Sequence, residues 1–491
     1  MRELATGIEG LDEVLKGGIP ANRIYLLEGS PGAGKTTLAM QFLLRGVREG
    51  QRSMYITLSE SAQELRGSAE SHGWSLDGVN IREYIITDAS TERDREVTMY
   101  HTPELELGDT MSRMLKDIQE FRPERVVIDA LSELRLLSDS VLRYRRQLLA
   151  LKQFFNQSEC TVLLLDDRSN VERDSHVESI VHGVVALEFD LTQYGADRRR
   201  LRVRKLRGRS FLAGLHDYAI RTGGIEVFPR LAAGHQVTKF ERKPLPSGLS
   251  KLDQLLGGGP QFGTSTLLIG PAGCGKTTVA IQYALAAAQQ GHKVSLYLFD
   301  ELRELLIDRF GLGGMDLRAA IDSGHMTITQ IDPTQKSPGE FAAQVRADVD
   351  QGGARLIVID SLNGYLNAMP HEEFLAAQLH ELLGYLGNRG VVTFLVVAQQ
   401  GIMGANMSTP VDASYLADSI VLFRYFEAKG EVRKAISVAK KRGGPHENTI
   451  RELTVDGNGV HVGDPLTQFQ GVLTGVPAFL RAGMSDIGEA R

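Results

Sequence analysis

Apolar residues in this chain cluster in short, nearly continuous runs, and stretches of helical character separate the runs. Such runs read as strands buried on both faces, the pattern of a parallel sheet with helices on either side. In the first half they predict strands at 23–28, 53–58, 81–88, 125–129, 161–166 and 184–189. The second half repeats the scheme at 264–269, 293–299, 326–331, 355–360, 391–398 and 419–426. Each half closes with strands that read as antiparallel, 199–206 with 216–220 and 432–440 with 449–455. The halves are in register: Gly7 and Gly248, Gly29 and Gly270, Lys35 and Lys276, Glu60 and Glu301 are each 241 residues apart. The chain is therefore a duplicated α/β module. The expected boundary is near residue 235, with domains over 1–234 and 235–470 and a short surface tail over 471–491.

The strands at 23–28 and 264–269 each run into a Gly-rich turn and then a helix, predicted over 36–42 and 277–283. The turns are Gly29-Ser30-Pro31-Gly32-Ala33-Gly34-Lys35-Thr36 and Gly270-Pro271-Ala272-Gly273-Cys274-Gly275-Lys276-Thr277, followed by Thr37 and Thr278. Both fit the phosphate-loop pattern G-x-x-x-x-G-K-[ST] in its strand–loop–helix context. Small residues let backbone N–H groups converge on a triphosphate, the lysine adds a point charge at the β/γ-phosphates, and Thr36 or Thr277 offers a hydroxyl to Mg²⁺. Two matches in register leave no room for coincidence, so two ATP sites are expected.

Other chemistry is placed relative to those loops. The runs Val126-Val127-Ile128-Asp129 and Ile357-Val358-Ile359-Asp360 end in the aspartates expected to organise Mg²⁺. The strands after the loop helices end in Ser59-Glu60 and Asp300-Glu301. Glu60 and Glu301 are the repeat-matched candidates to deprotonate water, with Asp300 added in the second half; stabilisation of a helix N-terminus is the plain alternative. Basic residues Lys205 and Arg207, and Lys440 and Arg442, lie where a terminal hairpin would carry them across a subunit boundary to a neighbour's γ-phosphate, unless they are solvated strand-end charges. The alternating arginines of 198–204 read as an exposed strand face rather than a DNA patch, Cys274 as small-residue filler, and Gln399-Gln400 as a candidate γ-phosphate sensor.

Composition narrows the class. At 491 residues and 42% apolar content, each half can bury a substantial core. A net charge of −6 argues against nonspecific adhesion to nucleic acid. Cys160 and Cys274 are the only cysteines, too few for a disulfide framework or a zinc cluster. With no apolar leader and no run of transmembrane length, a cytoplasmic protein without membrane contact is expected.

Further motifs add a resemblance. Thr6-Gly7-Ile8-Glu9-Gly10-Leu11-Asp12 and Gly17-Gly18-Ile19-Pro20 precede the first loop, and Asp129-Ala130-Leu131-Ser132 and Asp360-Ser361-Leu362-Asn363 follow the two loops. With Lys205-Leu206-Arg207-Gly208 and the stretch from Tyr425 to Glu431 through Arg451-Glu452, they make the chain similar to the KaiC-like family of the RecA superfamily over nearly its whole length. The resemblance implies tandem RecA-like domains, double-ring homohexamers with ATP at subunit interfaces, slow ATP hydrolysis and, in the family's circadian-clock protein, autophosphorylation of the second domain. Signalling proteins not identifiable from sequence would be the further partners.

The departures matter as much. The clock protein's adjacent Ser-Thr acceptors fall here on Ser414 and Tyr415, so Ser414 remains a candidate phosphosite and the threonine step is lost. Its paired glutamates become Ser59-Glu60 and Asp300-Glu301, and the tail after Phe469-Gln470-Gly471-Val472-Leu473 is shorter, which argues against docking of an activating partner there. The expectation is a KaiC-like ATPase with a candidate Ser/Thr autokinase step in signalling or clock-like regulation, rather than an oscillator. Alternatives are a RecA-type DNA-dependent motor and a nucleotide-gated scaffold with little turnover. Acidic charge and the absence of an evident accessory DNA-binding domain disfavour the first, and intact carboxylates in both halves the second.

Overall fold

The apolar runs form two nine-stranded sheets, one in each of two compact units, Met1–Arg230 and Leu231–Arg491. The computed structural model describes residues 2–84, 103–138, 140–167, 175–192, 195–231, 238–367, 375–399, 415–457, 459–474 and 478–479. Residues 85–88 of one predicted strand, the predicted boundary at 235, Gln400, Ser414 and residues 480–491 of the tail lie outside them.

In the first unit the strand order across the sheet is Gly224–Phe228, His216–Arg221, Arg198–Leu206, Gly183–Asp190, Ile24–Gly29, Thr161–Asp167, Arg125–Asp129, Ser53–Thr57 and Val79–Glu83. The last six are mutually parallel, and the first three add antiparallel to Gly183–Asp190. The second unit repeats this with Met326–Gln330, Lys293–Leu298, Ala354–Asp360, Val392–Ala398, Ser265–Gly270 and Ser419–Ala428 parallel. Glu431–Lys441, Arg451–Asp456 and Gly459–Pro465 follow antiparallel. These are tandem RecA-like α/β domains. Each sheet carries one closing strand more than the sequence predicted, Gly224–Phe228 and Gly459–Pro465, and the start of the tail folds back as Ala478–Phe479 against Phe469–Gln470.

Both faces of each sheet are covered, which is why the runs are continuous. Alternate residues of Ile24–Gly29 divide between two cores. Tyr25 and Leu27 pack with Leu38, Phe42 and Leu43 of helix Lys35–Arg48. Ile24 and Leu26 face the side covered by helices Pro103–Phe121 and Val141–Asn156, whose Met114, Ile118, Leu148 and Leu151 close the second core. Each such side chain contributes roughly 1.5–3 kcal/mol. Arg125, fully buried, ties the loop helix to the sheet: it donates to the Gln51 side chain (2.6 Å), the Phe42 carbonyl (2.8 Å), the Ala5 carbonyl (2.8 Å) and the Glu49 carboxylate (3.0 Å).

Candidate nucleotide sites

Each phosphate loop leaves the carboxyl end of a strand flanked on both sides by parallel neighbours, Ile24–Gly29 in one unit and Ser265–Gly270 in the other. A Cβ on Gly29 would meet the Leu187 carbonyl at 2.8 Å, and one on Gly270 the Phe423 carbonyl at 2.6 Å, so glycine is required for the close approach. Gly34 and Gly275 (φ 90° and 103°) turn the chain left-handed into helices Lys35–Arg48 and Lys276–Gln289. No side chain caps either helix, and neither first turn holds an acidic residue. Other helices here differ in this respect: Ser61 and Glu64 form a capping box on Ala62–Ser71 and Ser337 caps Pro338–Asp350, whereas Arg303–Leu312 is uncapped but carries Glu304 in its first turn. The uncapped amides and the positive end of the dipole are suited to an anion.

The loop lysines are curled into the loops, 8% and 6% exposed. Lys35 donates to the carbonyls of Gly29 (2.9 Å) and Ser30 (3.2 Å), and Lys276 to those of Gly270 (2.9 Å) and Pro271 (2.6 Å). Lys35 also forms an ion pair with Asp167 at 2.6 Å, whereas Lys276 has the Cys274 sulfur at 3.8 Å. Burial lowers the Lys276 ammonium and raises the Cys274 thiol from their ordinary ranges. Thr36 donates to Asp129 at 3.3 Å and Thr277 to Asp360 at 2.7 Å. Burial raises both aspartates, and the threonine hydrogen bonds and nearby lysines pull them partly back. Tyr55 adds a second donor to Asp129, at 2.5 Å. The peptide after each aspartate, Asp129–Ala130 and Asp360–Ser361, is cis.

The water-activating candidates lie beside these aspartates: Leu58 donates its N–H to the Asp129 carbonyl (2.7 Å), and Phe299 to that of Asp360 (2.8 Å). Burial, then Asp129 and Glu64, hold the Glu60 carboxyl above its ordinary range, and it has no hydrogen-bond partner among the described residues. In the second unit the carboxylates are engaged. Arg309 pairs with Glu301 at 2.8 Å, and the Ser361 hydroxyl donates to Asp300.

The basic residues sit at the far end of their own sheet. Lys205 is opposite Val184, and Arg207 donates its N–H to His182, whereas Gly29 is level with Leu187. Lys205 donates to the Glu178 carbonyl (2.5 Å) and Arg207 to that of Ser179 (3.0 Å); Lys440 donates to Ala417 (2.9 Å) and Arg442 to Tyr415 (3.5 Å). The arginine strip is largely engaged: Arg199 lies over the Phe189 ring, Arg200 pairs with Asp190, and Arg204 bridges Glu28 and Glu178. Cys274 is fully buried, and the Gln399 side chain accepts from Arg424. Sequence reasoning missed Asp167, Tyr55, Ser361 and Arg309. Two of them carried a signal: 162–167 is another apolar run ending in carboxylates, and Ser361 lies within the Asp360-Ser361-Leu362-Asn363 motif.

These residues fit a magnesium–triphosphate pair. Among the described residues no cluster of three or more His, Cys, Asp or Glu forms a metal cage. One carboxylate with one hydroxyl is what Mg²⁺ uses when substrate phosphates and water complete its shell. No described helix is long and apolar enough to cross a membrane.

Comparison with known proteins agrees with this geometry. The family described as "ATPase: KaiC" matches twice, over residues 4–232 and 245–467. The circadian clock oscillator protein KaiC of Parasynechococcus marenigrum is 27% identical over 483 residues, covering 97% of this chain and 93% of that protein. The proteins of the same name from Picosynechococcus sp. (27%) and Thermostichus vulcanus (26%) each align with 97% of this chain and 92% of their own length. The chain belongs to the KaiC ATPase family.

Proposed function

We propose that this protein hydrolyses ATP at two magnesium-dependent sites per chain, in a ring of six copies with each nucleotide held between neighbours. In the same reading the second site phosphorylates Ser414, and the protein serves a signalling or regulatory role in the cytoplasm. The observation that carries the proposal is the repeated set of a buried loop lysine, an uncapped helix start, and a first-turn threonine bonded to a strand-end aspartate.

Lys35 and Lys276 would hold the β/γ oxygens, with the first-turn amides around them. Thr36 with Asp129, and Thr277 with Asp360, would hold the metal, which when bound offsets phosphate charge and polarises the γ-phosphoryl group. Glu60 orients the attacking water and takes its proton; its raised carboxyl makes it the stronger base. Glu301 with Asp300 has that task in the second site. Lys205, Arg207, Lys440 and Arg442, remote from their own loops, would steady charge on a neighbour's nucleotide. For the kinase step the Ser414 hydroxyl attacks the γ-phosphorus, its proton passes to Asp300 or Glu301, and ADP leaves. Support comes from the grip of Lys440 and Arg442 on the carbonyls of Ala417 and Tyr415, immediately after Ser414.

Phosphate release from ATP by the full chain tests the hydrolase reading. Sustained, magnesium-dependent release supports it. ATP-dependent rings with release no faster than the buffer's would make the protein a nucleotide-gated scaffold.

A further inference from the structure

The two loops are nearly superimposable in their hydrogen bonds, yet they differ in one charge. Asp167 ends strand Thr161–Asp167 directly opposite Gly29, and its carboxylate lies 2.6 Å from the Lys35 ammonium. The register partner of Gly270 in the second unit is Ala398, which carries no charge. Lys276 there meets the carbonyls of Gly270 and Pro271 and the Cys274 sulfur, and no ion pair of Lys276 occurs among the described residues.

We propose that Asp167 is a resident competitor for Lys35: nucleotide enters the first site against an internal anion, and enters the second site without one. The proposal rests on the reading that these lysines hold phosphates. A phosphate oxygen and the Asp167 carboxylate claim the same ammonium, whose side chain is 9% exposed and has little water to screen the conflict. Asp167 is itself 42% exposed, so its carboxylate can swing into solvent when displaced. Moving away forfeits the ion pair, and staying repels the phosphates; either route lowers nucleotide affinity. The pair also neutralises Lys35 while the site is empty, so Asp167 favours the nucleotide-free fold and disfavours the loaded one. The two sites of one chain would then fill at different ATP concentrations, the second before the first as far as this charge decides.

A half-buried pair should be worth about three- to tenfold in affinity, from the upper part of the range of exposed pairs to somewhat beyond it. The test uses the full chain and a fluorescent, non-hydrolysable ATP analogue with magnesium. First-site affinity is read in Lys276→Ala, second-site affinity in Lys35→Ala. Asp167→Asn and Asp167→Ala should each tighten the first site by about that factor, less at high salt, and lower the melting temperature of the nucleotide-free protein. Introducing the charge with Ala398→Asp should weaken the second site. First-site affinity that is unchanged or reduced in both Asp167 variants overturns the proposal, whatever the stability of Ala398→Asp. A Lys276→Ala chain that binds no analogue at all would instead refute the site reading beneath it.

Discussion

Replacing Arg207 with alanine should silence the first site of a neighbouring copy rather than its own. Arg207 is tied to His182, and Gly29 is level with Leu187, five residues further along the same strand. At strand rise this is about 16 Å, more than an arginine side chain spans. The second unit has the same layout, with Arg442 donating its N–H to Asp418 while Ile269 is level with Leu422, about 13 Å away. Any action on a nucleotide must therefore be on another copy's. Loss of a transition-state arginine costs about 10³-fold or more in other nucleotide hydrolases, so Arg207→Ala and Lys35→Ala should each reduce first-site turnover to background. Both subunit types carry Glu301→Gln with Asp300→Asn, so that only first-site hydrolysis is read. Co-assembled at equal amounts, a random ring joins an intact loop to an intact arginine at about a quarter of its interfaces. Phosphate release should recover to about a quarter of the Glu301→Gln, Asp300→Asn parent. Mixed rings verified by mass spectrometry that show no recovery would refute the reasoning and leave Arg207 as a residue that only fastens the Ser179 carbonyl.

Three further outcomes are expected. Glu60→Gln should lower first-site turnover by about 10²-fold or more with ATP still bound, and Glu301→Gln should impair the second site more than Asp300→Asn; the opposite ranking assigns the base to Asp300. After incubation with Mg²⁺–ATP, peptide mass spectrometry should find phosphate on Ser414, with little or none on Tyr415, and the signal should vanish in Lys276→Ala but persist in Lys35→Ala. Burial holds His216 below its ordinary 6.5, and its Nδ1 accepts the Arg230 N–H (3.0 Å) while Nε2 donates to the Leu212 carbonyl (3.0 Å). The unfolded chain therefore binds that proton more readily, and stability present above pH 6.5 is lost as pH falls through the folded value. Protection factors at strand His216–Arg221, corrected for the pH dependence of intrinsic exchange, should fall over that window in wild type and less in His216→Gln; equal slopes would exclude His216 as the cause.

The parallel strands were legible because both faces are buried: Val126–Asp129 and Ile357–Asp360 stand out as apolar whichever face each residue takes. The strands Gly224–Phe228 and Gly459–Pro465 were not, since each opens on glycine with only two residues between it and the end of the preceding strand at Arg221 or Asp456, so that its start reads as the turn leaving that strand. The loops and the Thr–Asp pairs are local or repeat-matched, so spacing located them. Tyr55 was invisible because an aromatic residue in a strand reads as core, and only pairing with Arg125–Asp129 brings its hydroxyl to Asp129. Arg309 reaches Glu301 from within the helix Arg303–Leu312 that follows it, where an arginine in sequence reads as a solvated helix residue. That the basic clusters lie at the wrong end of their own sheets depends on strand direction, which their sequence does not encode.

Nucleotide stoichiometry tests the central claim of two working ATP sites most directly. Full chain saturated with Mg²⁺–ATP analogue, freed of excess ligand and weighed by native mass spectrometry, should carry two nucleotides per subunit. Lys35→Ala and Lys276→Ala should each carry one, lost from the altered half, because each removes the buried cation that faces the phosphates. One nucleotide per subunit in wild type, or equal occupancy in wild type and both variants, would contradict the account.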